Sequence, residues 1–229
     1  MSHLSPPDPA PSLTEQATAL LRREILTTAF APGDTLSEAQ AAERLGLGRA
    51  PVRAALARLA DEGLIQAMPR RGWVVALVTI RDIHEVFDLR LLLEPEAARR
   101  AAGRVDAAAL RRLDDVCAAG YRPDDSDSAL AFLDANRAFH VAVADLSGNS
   151  RLARQIGRLL DESTRMLVLG LKRRDRTGEM AHEHAALIEA LALGRAEAAA
   201  ALMREQVAAS RAMVLDALTS APSGLPVLP

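Results

Sequence analysis

The chain has 229 residues, a formal net charge of −2, and 49% hydrophobic but only 3% aromatic residues. That length fits one large or two modest domains, and near-neutral charge excludes a polycation, so any nucleic-acid binding must come from a local patch. One cysteine, Cys117, excludes an intrachain disulfide and a cysteine-built zinc site.

Ala and Leu fill the apolar positions, which predicts helices over sheets. Residues 1–12, "MSHLSPPDPAPS", lack the apolar core of a signal peptide. They read as a disordered, Pro-rich tail, as do residues 220–229. No apolar run approaches the ~20 residues that span a bilayer. The expectation is a cytoplasmic protein.

Residues 13–30 carry an amphipathic helical stripe of Ala17, Leu20, Leu21, Glu24, Ile25 and Thr28. "APGD" (31–34) makes a turn, residues 38–45 a second short helix, and "GLG" (46–48) breaks it before a third helix over 49–62. In that third helix Arg49 and Arg53 lie one turn apart on one face. Pro51 stands near the first turn, where its missing N–H costs nothing. Val52, Leu56, Leu59 and Ala60 form the opposite stripe. Residues 48–60 hold three arginines and no acid, a local +3. Beyond Gly63 the period changes to that of strands: "LIQAMPRRGWVVALV" reads as a hairpin with arginines at its tip. Three helices and a hairpin make a winged helix-turn-helix over residues 13–78.

From Thr79 the helical period returns. "TIRD" forms a capping box of Thr79 with Asp82. Six helices follow, over 80–102, 106–120, 127–147, 150–172, 178–193 and 195–218, so residues 79–219 form an all-α bundle. Its inward faces carry polar groups. Asn136 and His140 share the stripe of Phe132, Leu133, Phe139 and Val143. His184 goes with Leu187, Ile188 and Leu191, and Gln206 with Leu202, Met203 and Val207. Arg90 lines up with Val86, Phe87, Glu94 and Ala97. Such groups are costly to bury unless partnered, and a ligand-filled or solvated cavity within the bundle would partner them. His84 and His182 face elsewhere, as surface residues.

"LSEAQAAERLGLGRAPVRAALARLADEGLI" with "PRRGWVV" resembles the DNA-binding domain of the GntR family of bacterial repressors. "DLRLLLEPEAARRAA" (88–102), "NRAFHVAVADLSGN" (136–149) and "EHAALIEAL" (183–191) resemble the FCD ligand-binding domain of its FadR subfamily. The resemblance covers about residues 13–215. It implies that Arg49 and Arg53, with Ala50 and Pro51 between them, meet DNA, and that Arg71 and Gly72 form the wing tip. Arginine is the best bidentate reader of guanine. Family members usually carry Ser or Thr at Gly48 and Thr at Ala50; Gly48 still serves as an N-cap.

The resemblance further implies a dimer on a palindromic operator, controlled by an effector in the helical domain. Many family members hold a divalent metal there with Asp, His, His and His. This chain keeps His140 and His184 but has Asn136 for the Asp and Gln206 for the last His. Three readings stay open: capture of a carboxylate effector by Arg90, Asn136, His140, His184 and Gln206; a zinc-like ion on His140 and His184; or histidines that only satisfy core hydrogen bonds. The alternatives in function are a metal-dependent helical enzyme or metal-responsive regulator using His140 and His184, and a sequence-indifferent DNA-packaging protein.

Overall fold

A computed structural model describes residues 11–69, 72–122 and 125–219. The expected disordered tails, apart from Pro11 and Ser12, and the wing-tip arginines Arg70 and Arg71 lie outside the described residues. The chain divides between Leu77 and Val78 into two units.

In the first unit, α1 (Leu13–Leu26), α2 (Glu38–Leu45) and α3 (Arg49–Asp61) accompany a three-stranded antiparallel sheet of β1 (Thr35–Leu36), β2 (Ile65–Met68) and β3 (Gly72–Val75), ordered β1-β3-β2. Ser12 with Glu15 and Ser37 with Gln40 close the N-termini of α1 and α2 as capping boxes. Gly46 ends α2 in the left-handed conformation, at φ +64°. The core is Ala17, Leu21 and Ile25 of α1 against Val52, Ala55, Leu56 and Leu59 of α3, with Leu36, Ile65 and Val75 of the sheet.

The first helix is shorter than its apolar stripe predicts. Thr27 caps it and Thr28 turns left-handed, at φ +64°. Leu20 is 39% exposed, so the buried stripe is Ala17, Leu21 and Ile25. Glu24 leaves the core to pair with Arg44 at 2.7 Å. Strand β1 has two residues, too few to show a period, and its pairing of Thr35 with Val74 and Leu36 with Trp73 exists only in the folded sheet. Gly72 has φ +87°, and a Cβ there would stand 2.8 Å from the Leu36 carbonyl oxygen. Gly72→Ala is therefore expected to destabilise this unit by more than about 1 kcal/mol, read as a lower melting midpoint by the fluorescence of Trp73, the chain's one tryptophan.

In the second unit six helices are described: α4 (Ile80–Ala101), α5 (Ala107–Ala119), α6 (Ser126–Leu146), α7 (Ser150–Leu171), α8 (Thr177–Ala192) and α9 (Ala196–Thr219). Each bound falls within one residue of its expected place. The reason is local: Thr79 and Asp82 form their capping box, and Asp106, Asp125 and Asn149 cap α5, α6 and α7 through their side chains. Helix α4 packs along α9, α5 between α6 and α8, and α7 against α4, α6 and α9. Val78, expected at the end of the first domain, belongs to this core with Phe87, Phe132, Phe139, Leu187 and Val214. Among the described residues no helix is long and apolar enough to cross a membrane.

Candidate functional site

Two sets of side chains stand out, one in each unit. On α3 the apolar back is fully buried through Val52, Ala55, Leu56 and Leu59, which leaves Arg49, Ala50, Arg53 and Arg58 exposed. Ala55 takes the place expected for Ala60, which is half-buried, as is Pro51. Gly48 is the N-cap and makes no side-chain capping hydrogen bond, so among the described residues no side chain caps the first backbone N–H groups of α3. Such groups favour phosphate.

The structure adds a residue that the sequence did not single out. Arg53 donates from Nε to both carboxylate oxygens of Glu38, each at 2.9 Å, while its own side chain stays 67% exposed. That contact raises the Arg53 pKa and lowers that of Glu38. Glu38 opens α2, fifteen positions before Arg53, and only the packing of α2 on α3 joins them. The patch is thus less basic than the count over residues 48–60 implies. Gly72 is half-buried at the start of β3; Arg71 is not among the described residues.

In the bundle, Arg90, His140 and His184 come together through carboxylates. Arg90, 2% exposed, donates from Nε to Glu94 Oε1 at 2.6 Å and from Nη1 to Ser163 Oγ at 3.2 Å. The other oxygen of Glu94, Oε2, lies 2.6 Å from His140 Nδ1. His140 and His184 meet edge to face, 5.7 Å between centroids. His184 stacks on Phe139 at 4.1 Å and places Nδ1 2.5 Å from Asp114 Oδ1. Arg90 and Glu94 stand one turn apart on α4, which lets them pair.

Burial pushes the Glu94 carboxyl up, but Arg90 and then His140 outweigh it and hold the group at about 2. Burial likewise lowers the His184 pKa, against the pull of Asp114. A neutral His184 donates its Nδ1–H to Asp114 and keeps a lone pair on Nε2. Cys117, one turn beyond Asp114, is fully buried, and burial together with the Asp114 charge pushes its thiol up to about 12.

Asn136 and Gln206 are each 4% exposed, yet Asn136 Oδ1 and both polar atoms of Gln206 have no hydrogen-bond partner among the described residues. Asn136 lies one turn before His140 on α6. No polar contact joins either amide to the histidines. Glu94 and Asp114 are the partners that sequence reasoning missed. Glu94 was visible on the Arg90 stripe; Asp114 is 70 positions from His184, with no local signal.

The family's four metal positions do not fit a metal here. Asn136 and Gln206 are neutral amides and poor zinc ligands, and no anionic ligand stands among the four. Both histidines hold Nδ1 against a carboxylate, which leaves Nε2 of each open, but two imidazoles without an anionic partner are an incomplete set.

Residues 13–75 match the gntR family of bacterial regulatory proteins and residues 85–209 the FCD domain. The chain is 36% identical over 98 residues to the HTH-type transcriptional repressor RspR of Escherichia coli strain K12, covering 43% of each chain. It therefore spans less than half the length of that relative. It is 25% identical over 183 residues to the HTH-type transcriptional regulator YdhC of Bacillus subtilis, covering 78% of this chain and 80% of YdhC. The structure of E. coli McbR/YncC shares the fold, with a TM-score of 0.74 at 24% identity over 90% of this chain and 99% of that one. The two family matches are to a regulatory family, which sets aside the enzyme alternative. With a winged helix-turn-helix over 13–75 and a helical FCD domain over 85–209, the chain belongs to the gntR family of DNA-binding bacterial transcriptional regulators.

Proposed function

We propose that this regulator is a cytoplasmic repressor that binds a palindromic operator as a dimer and is released by a small carboxylate metabolite held in the FCD domain. The carrying observation is the outward face of α3: Arg49 and Arg53 are exposed while Val52, Ala55, Leu56 and Leu59 are buried. Arg49 and Arg53 read bases or phosphates there, with Ala50, Pro51 and the uncapped helix start closing on the backbone, and Arg71 and Gly72 at the wing. RspR carries the name of a repressor, which supports the direction of control. Leu89 and Leu92, 43% and 70% exposed on α4, support a subunit interface.

The unpartnered amides of Asn136 and Gln206 support an effector in the bundle. They and the Nε2 atoms of His140 and His184 are the groups a ligand completes. Arg90 is already shared between Glu94 and Ser163, so it contributes field more than a fresh contact. Its one positive charge stands against two carboxylates, Glu94 and Asp114, so the fixed charges leave no surplus cation for an anionic effector. A carboxylate effector therefore arrives with a proton or is met by an added cation.

A thermal-shift screen of small carboxylates identifies the ligand through the rise in melting temperature that binding the native state produces. The double variant His140→Ala, His184→Ala is expected to keep operator affinity and lose most of the release by that ligand, read by fluorescence anisotropy on labelled operator. A full response from the double variant overturns the placement of the pocket. Wild-type affinity that is insensitive to salt overturns the DNA reading, because phosphate contacts release counterions.

A further inference from the structure

We propose that Asp114, Cys117 and His184 form a zinc-class metal site, which shares only His184 with the four positions the family uses. The three come from two helices packed together, α5 and α8. Their ligand atoms, a carboxylate oxygen, a thiol sulfur and an imidazole nitrogen, all lie within 4.8 Å of one another. All three side chains are buried, at 8%, 0% and 2% exposure.

Geometry and donor chemistry agree. Asp114 and Cys117 stand three positions apart, so they project from one face of α5. His184 is fixed from the other side by its stack on Phe139, with Nδ1 turned toward α5. A tetrahedral site with metal–sulfur bonds of about 2.3 Å and metal–nitrogen or oxygen bonds of about 2.0–2.2 Å separates its ligand atoms by roughly 3.3–3.8 Å. The Asp114–His184 contact, at 2.5 Å, opens by about 1 Å to reach that spacing, and the sulfur, within 4.8 Å of both, closes by at most about 1 Å. One sulfur, one nitrogen and one oxygen donor suit a borderline-soft ion such as Zn²⁺ or Co²⁺, and they exclude the all-oxygen preference of Mg²⁺ and Ca²⁺. Three protein ligands leave a fourth position for water or an effector atom.

The protons balance. The Cys117 thiol gives up its proton to solvent and binds as thiolate. The His184 proton moves from Nδ1 to Nε2, so Nδ1 becomes the ligand. Asp114 stays ionised. The trio goes from −1 to neutral with the dication bound, and His184 Nε2 turns from an acceptor into a donor facing the pocket beside His140. This is the added cation that a carboxylate effector needs, so the site bears on the function proposed above while its metal binding does not depend on it.

The test is a titration of the full-length, chelator-stripped protein with Co²⁺. One equivalent is expected to bind with tetrahedral visible bands and a near-ultraviolet thiolate-to-cobalt charge-transfer band. Cys117→Ala removes that band and weakens binding by at least about tenfold, since even lost outer-shell partners cost that much. His140→Ala keeps both band and affinity. No cobalt bound by the wild type, or binding without the thiolate band, overturns the site, and this readout stands even if Cys117→Ala does not fold. Loss of binding in His140→Ala with retention in Cys117→Ala also overturns it, in favour of the family's positions. Operator affinity of the stripped protein, measured in parallel, separates failure here from failure of the DNA reading.

Discussion

Arg53→Ala is expected to lower operator affinity roughly ten- to hundredfold, the cost of one lost bidentate base contact, while affinity for random DNA changes little. The melting temperature should stay where it is. The Arg53 side chain is two-thirds exposed and its bond to Glu38 is a surface ion pair, and such pairs add little to stability. Anisotropy titrations against operator and scrambled duplex at several salt concentrations measure both quantities. A uniform loss on both duplexes, with the salt slope reduced by about one, marks Arg53 as a phosphate contact instead. Unchanged operator affinity removes α3 as the reading helix. Glu38 makes the experiment sharper. With Arg53 gone its carboxylate faces the DNA unpaired, so adding Glu38→Gln to Arg53→Ala should raise affinity for operator and scrambled duplex alike and restore none of the sequence preference.

The largest stability effect belongs to Glu94→Ala. It strips a buried guanidinium of its carboxylate and removes the acceptor of His140 Nδ1 in one step. Breaking a buried ion pair by deleting one partner costs about 3–5 kcal/mol, a drop of roughly 6–20 °C in the melting of a unit this size. The sign with pH follows from the carboxyl group, which moves from 4.5 to about 2 on folding. Its stabilisation is complete above about 4.5 and is lost as pH falls from there through about 2. Wild-type helix content followed by circular dichroism should thus weaken over that window, and Glu94→Ala should lose that component. Glu96 is held at about 2 as well, but it is only half-buried, its partners Arg99 and Arg100 are exposed, and solvent screens these ion pairs. Glu96→Ala is the matched control. A Glu94→Ala chain that melts with the wild type would show that Arg90 needs no counter-charge.

What the sequence made legible follows from the range of the interactions involved. Thr79 with Asp82, and the caps Asp106, Asp125 and Asn149, act within three residues, so the bundle's helices could be bounded from sequence. The same is true of the apolar back of α3. The end of α1 was not visible, because apolar spacing continues past Leu26 and the left-handed Thr28 carries no residue-type warning. Strand β1 exists only through its partner β3. In the bundle, Arg90, His140 and His184 were legible as polar residues on apolar stripes. Their partners were not: Glu94 reaches His140 across 46 positions and Asp114 reaches His184 across 70. Pairings of that length are decided by how helices stack, which residue spacing does not encode.

The boundary between Leu77 and Val78 divides two apolar interiors built from separate stretches of chain, one ending at Ala76 and the other starting at Val78. Selection can therefore remodel the chemistry of one interior without renegotiating the packing of the other. Changes around Asn136 and Gln206 alter the second interior alone. The same winged module is left free to serve unrelated signals.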